Sequence, residues 1–230
     1  MKIYRKMTAV FMTILFLLSS SSIVSSKENN NDVFIKNGSR EEKLIALTFD
    51  DGPHPKETNE ILDVLKKYDV KATFFVVGKH CNWYSKPLIR ASKEGHEIGN
   101  HTFNHPDISN LSTDDIKKEI KLCEDTIVKL TGVKPTLFRP PFGSYNQGEL
   151  GQIAKDCGYK IVLWTTVDAK DWKNPPPSQT SNIIISKVRN GDIILLHDYG
   201  TENTVKALDI IIPTMMKNGY KFVTVSELIK

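Results

Sequence analysis

From Leu44 onward, short apolar segments alternate with amphipathic ones, and this alternation constrains the fold more than any other feature of the sequence. The short segments are mostly apolar along their whole length, which is typical of strands buried on both faces of a parallel sheet. The predicted strands span residues 44–49, 72–77, 97–101, 136–139, 161–167, 192–196 and 222–225. Strands that alternate with helices in this way indicate an α/β domain.

The segments between these strands carry apolar residues at helical spacing. One stripe covers residues 61–68, and a longer one covers residues 116–130, where Ser112 offers an N-cap and Gly132 a stop. Shorter helices are predicted over residues 85–94, 146–157, 178–189 and 203–217, with a final turn after Ser226.

Polar residues stand at or just after the ends of the predicted strands. Strands with crossover helices either close into a barrel or form an open doubly wound sheet, and periodicity alone does not distinguish the two. In (β/α) barrels the active site lies at the carboxyl ends of the strands. We therefore predict a distorted, TIM-like (β/α)7 barrel that forms a single catalytic domain over residues 44–230. The strand-end residues are Asp50, Asp51, His101, Arg139, Asp168 and His197.

The first 43 residues differ in composition from the rest. Residues 1–26 place three basic side chains before an apolar run and a serine-rich stretch, which is the layout of a secretory signal peptide. The apolar run is shorter than the roughly 20 residues of a membrane-spanning helix, so we expect cleavage, with an uncleaved membrane anchor as the alternative. Residues 27–43 are polar and predict a linker. The protein is thus expected to be secreted or cell-surface associated, and to contact the membrane only if the anchor is retained.

The charge of the chain bears on whether it binds nucleic acid. The formal net charge of +4 falls to +1 without the three basic residues of the signal, and no Lys/Arg-rich run with interleaved aromatic residues follows. Nucleic-acid binding is therefore not expected.

Cys81, Cys123 and Cys157 lack the spacing of a metal or redox motif, so we predict buried free thiols, with one disulfide as the alternative.

Two adjacent carboxylates end the first predicted strand, in the segment TFDDGP at residues 48–53. Because neighbouring strand residues point to opposite sides, Asp50 and Asp51 are expected to have different roles. A glycosidase pair, whose carboxyl groups lie about 5–9 Å apart, is a poor match for consecutive residues. The alternative is an Asp that caps a turn.

The segment HTFNH places His101 and His105 four residues apart. On one helical turn the two imidazoles would lie within about 5–6 Å of each other, although Pro106 disfavours helical geometry at His105. With Asp51 they would form a site of two histidines and one carboxylate that keeps open positions, as hydrolytic zinc sites do. Without that third ligand, two surface or capping histidines explain the pattern equally well.

Three later segments also place polar groups at strand ends: RPPFG at residues 139–143, DAKDW at 168–172 and LLH at 195–197. Together with TFDDGP and HTFNH, in this order, they resemble the five motifs of the NodB-like polysaccharide deacetylases of carbohydrate esterase family four. The resemblance covers residues 44–230. It implies a metal-dependent hydrolase that removes N-acetyl groups from N-acetylglucosamine-type residues of a polysaccharide and releases acetate.

The resemblance also implies a role for each motif residue. Asp50 corresponds to the general base and Arg139 to the residue that orients it, while His197 corresponds to the general acid and Asp171 to its partner. The implied cofactor is one divalent metal ion, zinc first, with cobalt or another divalent ion as alternatives. Its implied ligands are Asp51, His101 and His105.

Three further residues correspond to the part of the family's site that binds substrate. The backbone N–H of Phe142 would donate to the oxyanion, while Trp172 and Leu195 would form opposing walls of the acetyl pocket. Many relatives carry Tyr at the position of Phe142. Because the implied donor is main-chain, the change of side chain should not remove it.

Two other functions stay open on the sequence alone. A non-haem iron oxygenase uses the same two histidines and one carboxylate, but is expected on an antiparallel double-stranded β-helix. A sugar-binding protein could keep the fold and lose catalysis, although the intact Asp50, Arg139 and His197 argue against this. Among N-acetylated polymers, peptidoglycan is our first choice, followed by chitin and poly-N-acetylglucosamine. The remaining histidines are predicted to be structural: His54, His80 and His96.

Overall fold

The computed structural model describes residues 33–165 and 168–230. In this part of the chain, parallel strands form a curled sheet with helices packed around it. The strands are β1 (Phe34–Ile35), β2 (Leu44–Asp50), β3 (Thr73–Val76), β4 (Glu97–Asn100), β5 (Leu137–Phe138), β6 (Lys160–Val162), β7 (Ile193–His197) and β8 (Lys221–Phe222).

The order of the strands is β1-β6-β5-β4-β3-β2-β7, and β8 pairs with β2 beside this path. The strand pairs are parallel throughout. The two edges approach each other where Asn37 forms an antiparallel bridge with Asp192, directly before β7. The predicted distorted (β/α) barrel in a single domain is confirmed.

The register of β2 brings the strand-end residues together. Asp50, the last residue of β2, pairs with His197 of β7 on one side and with Phe75 of β3 on the other. Because all these strands are parallel, their carboxyl ends meet at the same mouth of the barrel. Polar residues that are far apart in the sequence are thereby placed around one opening.

The helices lie outside the sheet. They are α1 (Glu57–Lys67), α2 (Gly78–Trp83), α3 (Ser85–Lys93), α4 (Thr113–Thr131), α5 (Gln147–Cys157), α6 (Pro177–Lys187), α7 (Glu202–Lys217) and α8 (Val225–Leu228). Helix α4 has the predicted ends, because the Ser112 hydroxyl accepts from the Asp115 N–H and Gly132 adopts a left-handed conformation with φ of 76°.

The core explains why the strands are apolar on both faces. Six of the seven residues of β2 are buried, and so are all four of β3. One set of apolar strand side chains packs against α1 and α7, while Ala46, Phe75 and Val162 form part of a separate cluster. A sheet covered in this way needs no alternation of polar and apolar residues.

The folded domain begins earlier than the sequence predicts. Phe34 and Ile35, which we assigned to a polar linker over residues 27–43, form β1 and pair with β6. Val33 is buried, and Arg40 forms an ion pair with the buried Asp192. The folded segment therefore includes residues 33–43, which the sequence analysis missed because a two-residue strand between polar residues has no detectable periodicity.

Three local features differ from the sequence predictions. Helix α2 was not predicted. The segment from His101 to His105 is a loop without a helical turn, with positive φ at Thr102 (68°) and His105 (60°). The predicted strand over residues 161–167 ends at Val162 in the described part, and residues 166–167 lie outside it. The three cysteines are free as predicted, although one of them, Cys157, is only half-buried.

The predicted signal peptide over residues 1–26 lies outside the described residues. Within residues 33–165 and 168–230, no helix has both the length and the apolar character needed to cross a membrane.

Candidate active site

A cavity of about 390 Å³ opens at the carboxyl ends of the strands. Eight of the ten residues that the sequence assigns to the site line it, while Arg139 and Asp171 stand behind the lining as hydrogen-bond partners. The lining residues are Asp50, Asp51, His101, His105, Pro140, Phe142, Trp164, Asp168, Trp172, Leu195 and His197.

One side of the cavity is formed by Asp51, His101 and His105, whose candidate ligand atoms all lie within 4.8 Å of one another. The Nε2 atoms of His105 and His101 are 3.1 Å and 3.4 Å from the Asp51 Oδ1. Ligands about 2.0–2.1 Å from a zinc ion, at angles between octahedral and tetrahedral, are separated by about 2.9–3.4 Å. The spacing of these three residues therefore fits a single ion.

The hydrogen-bond partner of His101 supports the same interpretation. Its Nδ1 donates to the Arg139 carbonyl oxygen at 2.7 Å, so the neutral ring carries its proton there and presents a lone pair at Nε2. That lone pair would face the Asp51 Oδ1 at 3.4 Å, so a cation between the two atoms would be bound by both. Burial acts to raise the pKa of Asp51, but hydrogen bonds from His101 and His105 and the charges of protonated His101 and His197 outweigh it and, without a metal, hold that pKa far below its usual range.

Asp50 lies at the back of the cavity and forms an ion pair with Arg139. One guanidinium nitrogen of Arg139 donates to the Asp50 Oδ1 at 2.7 Å and to the Thr48 hydroxyl at 2.8 Å. Its other nitrogens donate to the carbonyl oxygens of Val162 and Leu163. Arg139 is completely buried, so it fixes Oδ1 and leaves Oδ2 of Asp50 to face the cavity.

His197 faces the cavity opposite the histidine pair and is held by Asp171. Its Nδ1 donates to the Asp171 Oδ1 at 2.8 Å, while its backbone N–H and the Thr204 hydroxyl donate to the Asp171 Oδ2, each at 2.8 Å. Burial acts to lower the pKa of His197, but the hydrogen bond and charge of Asp171, with the charges of Asp50 and Asp51, outweigh it and raise that pKa to about 9.

The walls of the cavity are apolar and partly open to solvent. Leu195 is buried, whereas Phe142 is 68% and Trp172 53% exposed. Phe142 has φ of 59° and its ring contacts the His105 ring edge-on, with the centroids 4.7 Å apart. Adjacent Gly143 is required here, because a Cβ at this position would lie 2.6 Å from Trp164.

Several residues of the site were not assigned a role from the sequence. Pro140, Trp164 and Asp168 line the cavity, although only Asp168 carried a signal, as a polar residue that follows a predicted strand. His80, which was predicted to be structural, lies against the metal-ligand candidate Asp51, and its Nδ1 is 2.6 Å from the Asp51 carbonyl oxygen. No sequence pattern links these two residues, which are 29 positions apart.

A family model for polysaccharide deacetylases matches residues 37–162, more than half of the chain. The chain belongs to the polysaccharide deacetylase family. The family and the enzyme class that the sequence motifs predict, a polysaccharide N-deacetylase of carbohydrate esterase family four, are thus confirmed.

Similar deacetylases include proteins named for activity on peptidoglycan. A peptidoglycan-N-acetylglucosamine deacetylase of Bacillus cereus is 43% identical over 192 residues, which are 82% of this chain and 89% of that protein. The peptidoglycan-N-acetylmuramic acid deacetylase PdaC of Bacillus subtilis is 44% identical over 188 residues, 81% of this chain but only 39% of PdaC.

A crystal structure of the Bc1960 peptidoglycan N-acetylglucosamine deacetylase superposes with a TM-score of 0.83 and 35% identity, covering 86% of this chain and 92% of that one. The parallel barrel shared with this deacetylase differs from the antiparallel fold expected of the iron oxygenase alternative.

Proposed function

We propose that this deacetylase is a metal-dependent hydrolase that removes N-acetyl groups from peptidoglycan and releases acetate. The observation that carries the proposal is that two oriented side chains, Asp50 held by Arg139 and His197 held by Asp171, line the same cavity as the candidate metal ligands. Amide hydrolysis needs a base for the attacking water and an acid for the departing amine, and both groups face this cavity.

The proposed metal ligands are Asp51, His101 and His105, with zinc as the first candidate and cobalt or another divalent ion as alternatives. A divalent cation held there would acidify a water molecule and polarise the acetamide carbonyl. Asp50 would take the proton of that water through Oδ2, because Arg139 occupies Oδ1.

Other residues of the cavity would stabilise the developing negative charge and protonate the departing amine. The backbone N–H of Phe142 would donate to the oxyanion that develops on the carbonyl, and Trp172 and Leu195 would enclose the acetyl methyl group. His197 would then give a proton from Nε2 to the departing amine, because its Nδ1 is already bonded to Asp171. A raised pKa keeps that proton available at neutral pH.

The proposed substrate is a cell-wall glycan, as the names of the similar deacetylases suggest, and the proposed location is the cell surface or the exterior. The named relatives act on N-acetylglucosamine in one case and on N-acetylmuramic acid in another. We propose N-acetylglucosamine first. The Bacillus cereus relative, which is matched over 89% of its length, and the Bc1960 crystal structure are both named as N-acetylglucosamine deacetylases.

Released acetate tests this proposal. The protein is loaded with zinc and incubated with peptidoglycan, chitin oligomers or poly-N-acetylglucosamine, and mass spectrometry of the digested peptidoglycan identifies the sugar that has lost its acetyl group. We expect acetate from peptidoglycan, and loss of metal and activity together in His101→Ala. Asp50→Asn, which keeps the size of the side chain, should retain the metal and lose activity.

The same assay separates the alternatives. Sugar binding without acetate release, even with added zinc or cobalt, would support a carbohydrate-binding protein that has lost catalysis. Acetate release that proceeds equally well without oxygen would exclude oxygenase chemistry.

A further inference from the structure

The candidate metal ligand Asp51 has an unusual backbone conformation. Its φ is 76°, in the left-handed region, which a residue with a side chain occupies only when its surroundings hold it there. This backbone conformation sets the direction of the Asp51 Cα–Cβ bond, which limits the positions that the carboxylate can reach. Whatever holds the two peptide groups that adjoin Asp51 therefore also helps to aim the carboxylate at the two histidines.

The peptide group that precedes Asp51 is held by β7. The carbonyl oxygen of Asp50 accepts a hydrogen bond of 3.1 Å from the backbone N–H of Asp198, immediately after the strand. This bond continues the register between β2 and β7, in which Asp50 pairs with His197.

The peptide group that follows Asp51 is held at both of its polar atoms by side chains. Its N–H, that of Gly52, donates to the Oδ1 of the buried Asp198 at 2.9 Å, and the Thr58 hydroxyl donates to the Asp198 Oδ2 at 2.6 Å. A Cβ on Gly52 would overlap the Asp198 carboxylate, so only glycine fits this position.

The carbonyl oxygen of the same peptide group, that of Asp51, contacts the Nδ1 of His80 at 2.6 Å. A carbonyl oxygen only accepts hydrogen bonds, so the imidazole must be the donor. The His80 ring is itself fixed, because it stacks on Tyr199 with centroids 4.4 Å apart and an interplanar angle of 13°, and Trp83 lies on it at 5.4 Å.

We propose that His80 is a positioning residue of the metal centre: its Nδ1–H holds the Asp51 carbonyl oxygen and so keeps the Asp51 carboxylate aimed at His101 and His105. Asp198 holds the N–H of the same peptide group, and the two side chains together prevent its rotation. The role of His80 is to raise metal affinity without touching the ion or the substrate. The inference rests on the proposed metal site and adds a residue outside the five sequence motifs.

Metal affinity of three matched variants tests the role of His80. His80→Phe keeps a ring that can stack on Tyr199 but has no donor. His80→Asn places an amide nitrogen two bonds from Cβ, as Nδ1 is, whereas His80→Gln places it three bonds away, as Nε2 is. Each protein is stripped of metal with a chelator and titrated with zinc in a calorimeter, and the thermal unfolding midpoint of the stripped protein is recorded as the control for folding.

We expect His80→Phe and His80→Gln to weaken zinc binding about 10-fold to 100-fold, the range typical of residues that orient metal ligands, with unfolding midpoints close to that of the wild-type protein. His80→Asn should bind zinc nearly as tightly as the wild type. Equal affinity in all four proteins would overturn the inference, and so would an equal loss in the Asn and Phe variants, which would assign the effect to the ring. A wild-type protein that takes up no zinc would instead refute the proposed metal centre itself.

Discussion

At the scale of single residues, the side chains that line the cavity are oriented by buried side chains behind them. Asp50 and His197 each present one free atom to the cavity because their other polar atom is bonded to Arg139 or Asp171. Arg139 and Asp171 are both buried, so these bonds are shielded from solvent and fix the orientation of the exposed atoms. Activity should therefore depend on the buried partners as much as on the groups that contact substrate.

Removing the proposed acid should slow the reaction without releasing the metal. We expect His197→Ala to lower kcat by roughly 10²–10⁴, because the amine would leave without a proton. Metal content, measured by atomic spectroscopy, should match that of the wild-type protein, since His197 is not among the clustered ligands. An unchanged kcat would reject the role of His197 as the acid.

Replacing Asp171 should change the pH dependence. Burial acts to lower the pKa of His197, but the hydrogen bond and charge of Asp171 help to raise it to about 9. The variant Asp171→Asn loses that charge, so the pKa of His197 should fall. His197 is active as an acid only below its pKa, so the alkaline limb of the profile of kcat/KM should move to lower pH. Profiles between about pH 5 and 10 measure the shift. Asp168 is a carboxylate of the same cavity that is not bonded to His197, so the control variant Asp168→Asn should leave the alkaline limb at the same pH.

The sequence predicts the candidate site residues at the strand ends but not His80. Asp50, Asp51, His101, Arg139 and His197 are recognisable because each is a polar residue at the end of an apolar strand. The contact of His80 with Asp51 depends on α2, a helix of six residues that is too short to show periodicity. A side chain that acts through a backbone atom elsewhere in the chain leaves no pattern of its own.

At the scale of elements, helix ends and strand ends determine the connections around the barrel. Helix α4 is flanked by the hydroxyl of Ser112 at its start and left-handed Gly132 at its end, and both were predicted. The segment from His101 to His105 was expected to form at most one helical turn within a loop, and it is a loop in which Thr102 and His105 have positive φ and both imidazoles line the cavity. Residue spacing alone gave the correct proximity of the rings, which are 5.0 Å apart, with the wrong local geometry.

The N-cap of α4 offers a test of local stability. Ser112→Ala removes the oxygen that accepts from the Asp115 N–H, so we expect the free energy of unfolding to fall by about 1 kcal/mol. Urea denaturation followed by circular dichroism measures the change. Ser112→Thr, which keeps both the oxygen that accepts from the Asp115 N–H and the hydroxyl that donates to the Asp115 carboxylate, should lose little of this stability, and an equal loss in both variants would argue against capping as the cause.

At the scale of the whole molecule, the N-terminal segment contributes to closing the barrel. Strand β1 covers the outer edge of β6, and Asn37 and Arg40 connect the same segment to Asp192 at the start of β7. The sequence predicts the seven strands after β1 and the helices other than α2, but assigns this segment to a linker. Its contribution comes from pairing with distant strands, which composition does not reveal.

Shortening the chain tests this contribution. A protein that begins at residue 43 should have a free energy of unfolding lower by roughly 2 kcal/mol or more than one that begins at residue 32, because it loses the buried Val33, the β1 pairing and the partner of Asp192. Chemical denaturation of both proteins at equal zinc concentration gives the comparison. Equal free energies of unfolding would show that the segment packs against the domain without stabilising it.

The exposure of Phe142 and Trp172 bears on how a long polymer reaches the cavity. In the described part of the chain these two aromatic side chains line the cavity and are more than half exposed, so a glycan could be laid across them from above instead of being threaded in by a free end. Sugars in the middle of a strand are then as reachable as those at its termini, and the modification would be scattered along cross-linked material that has few loose ends.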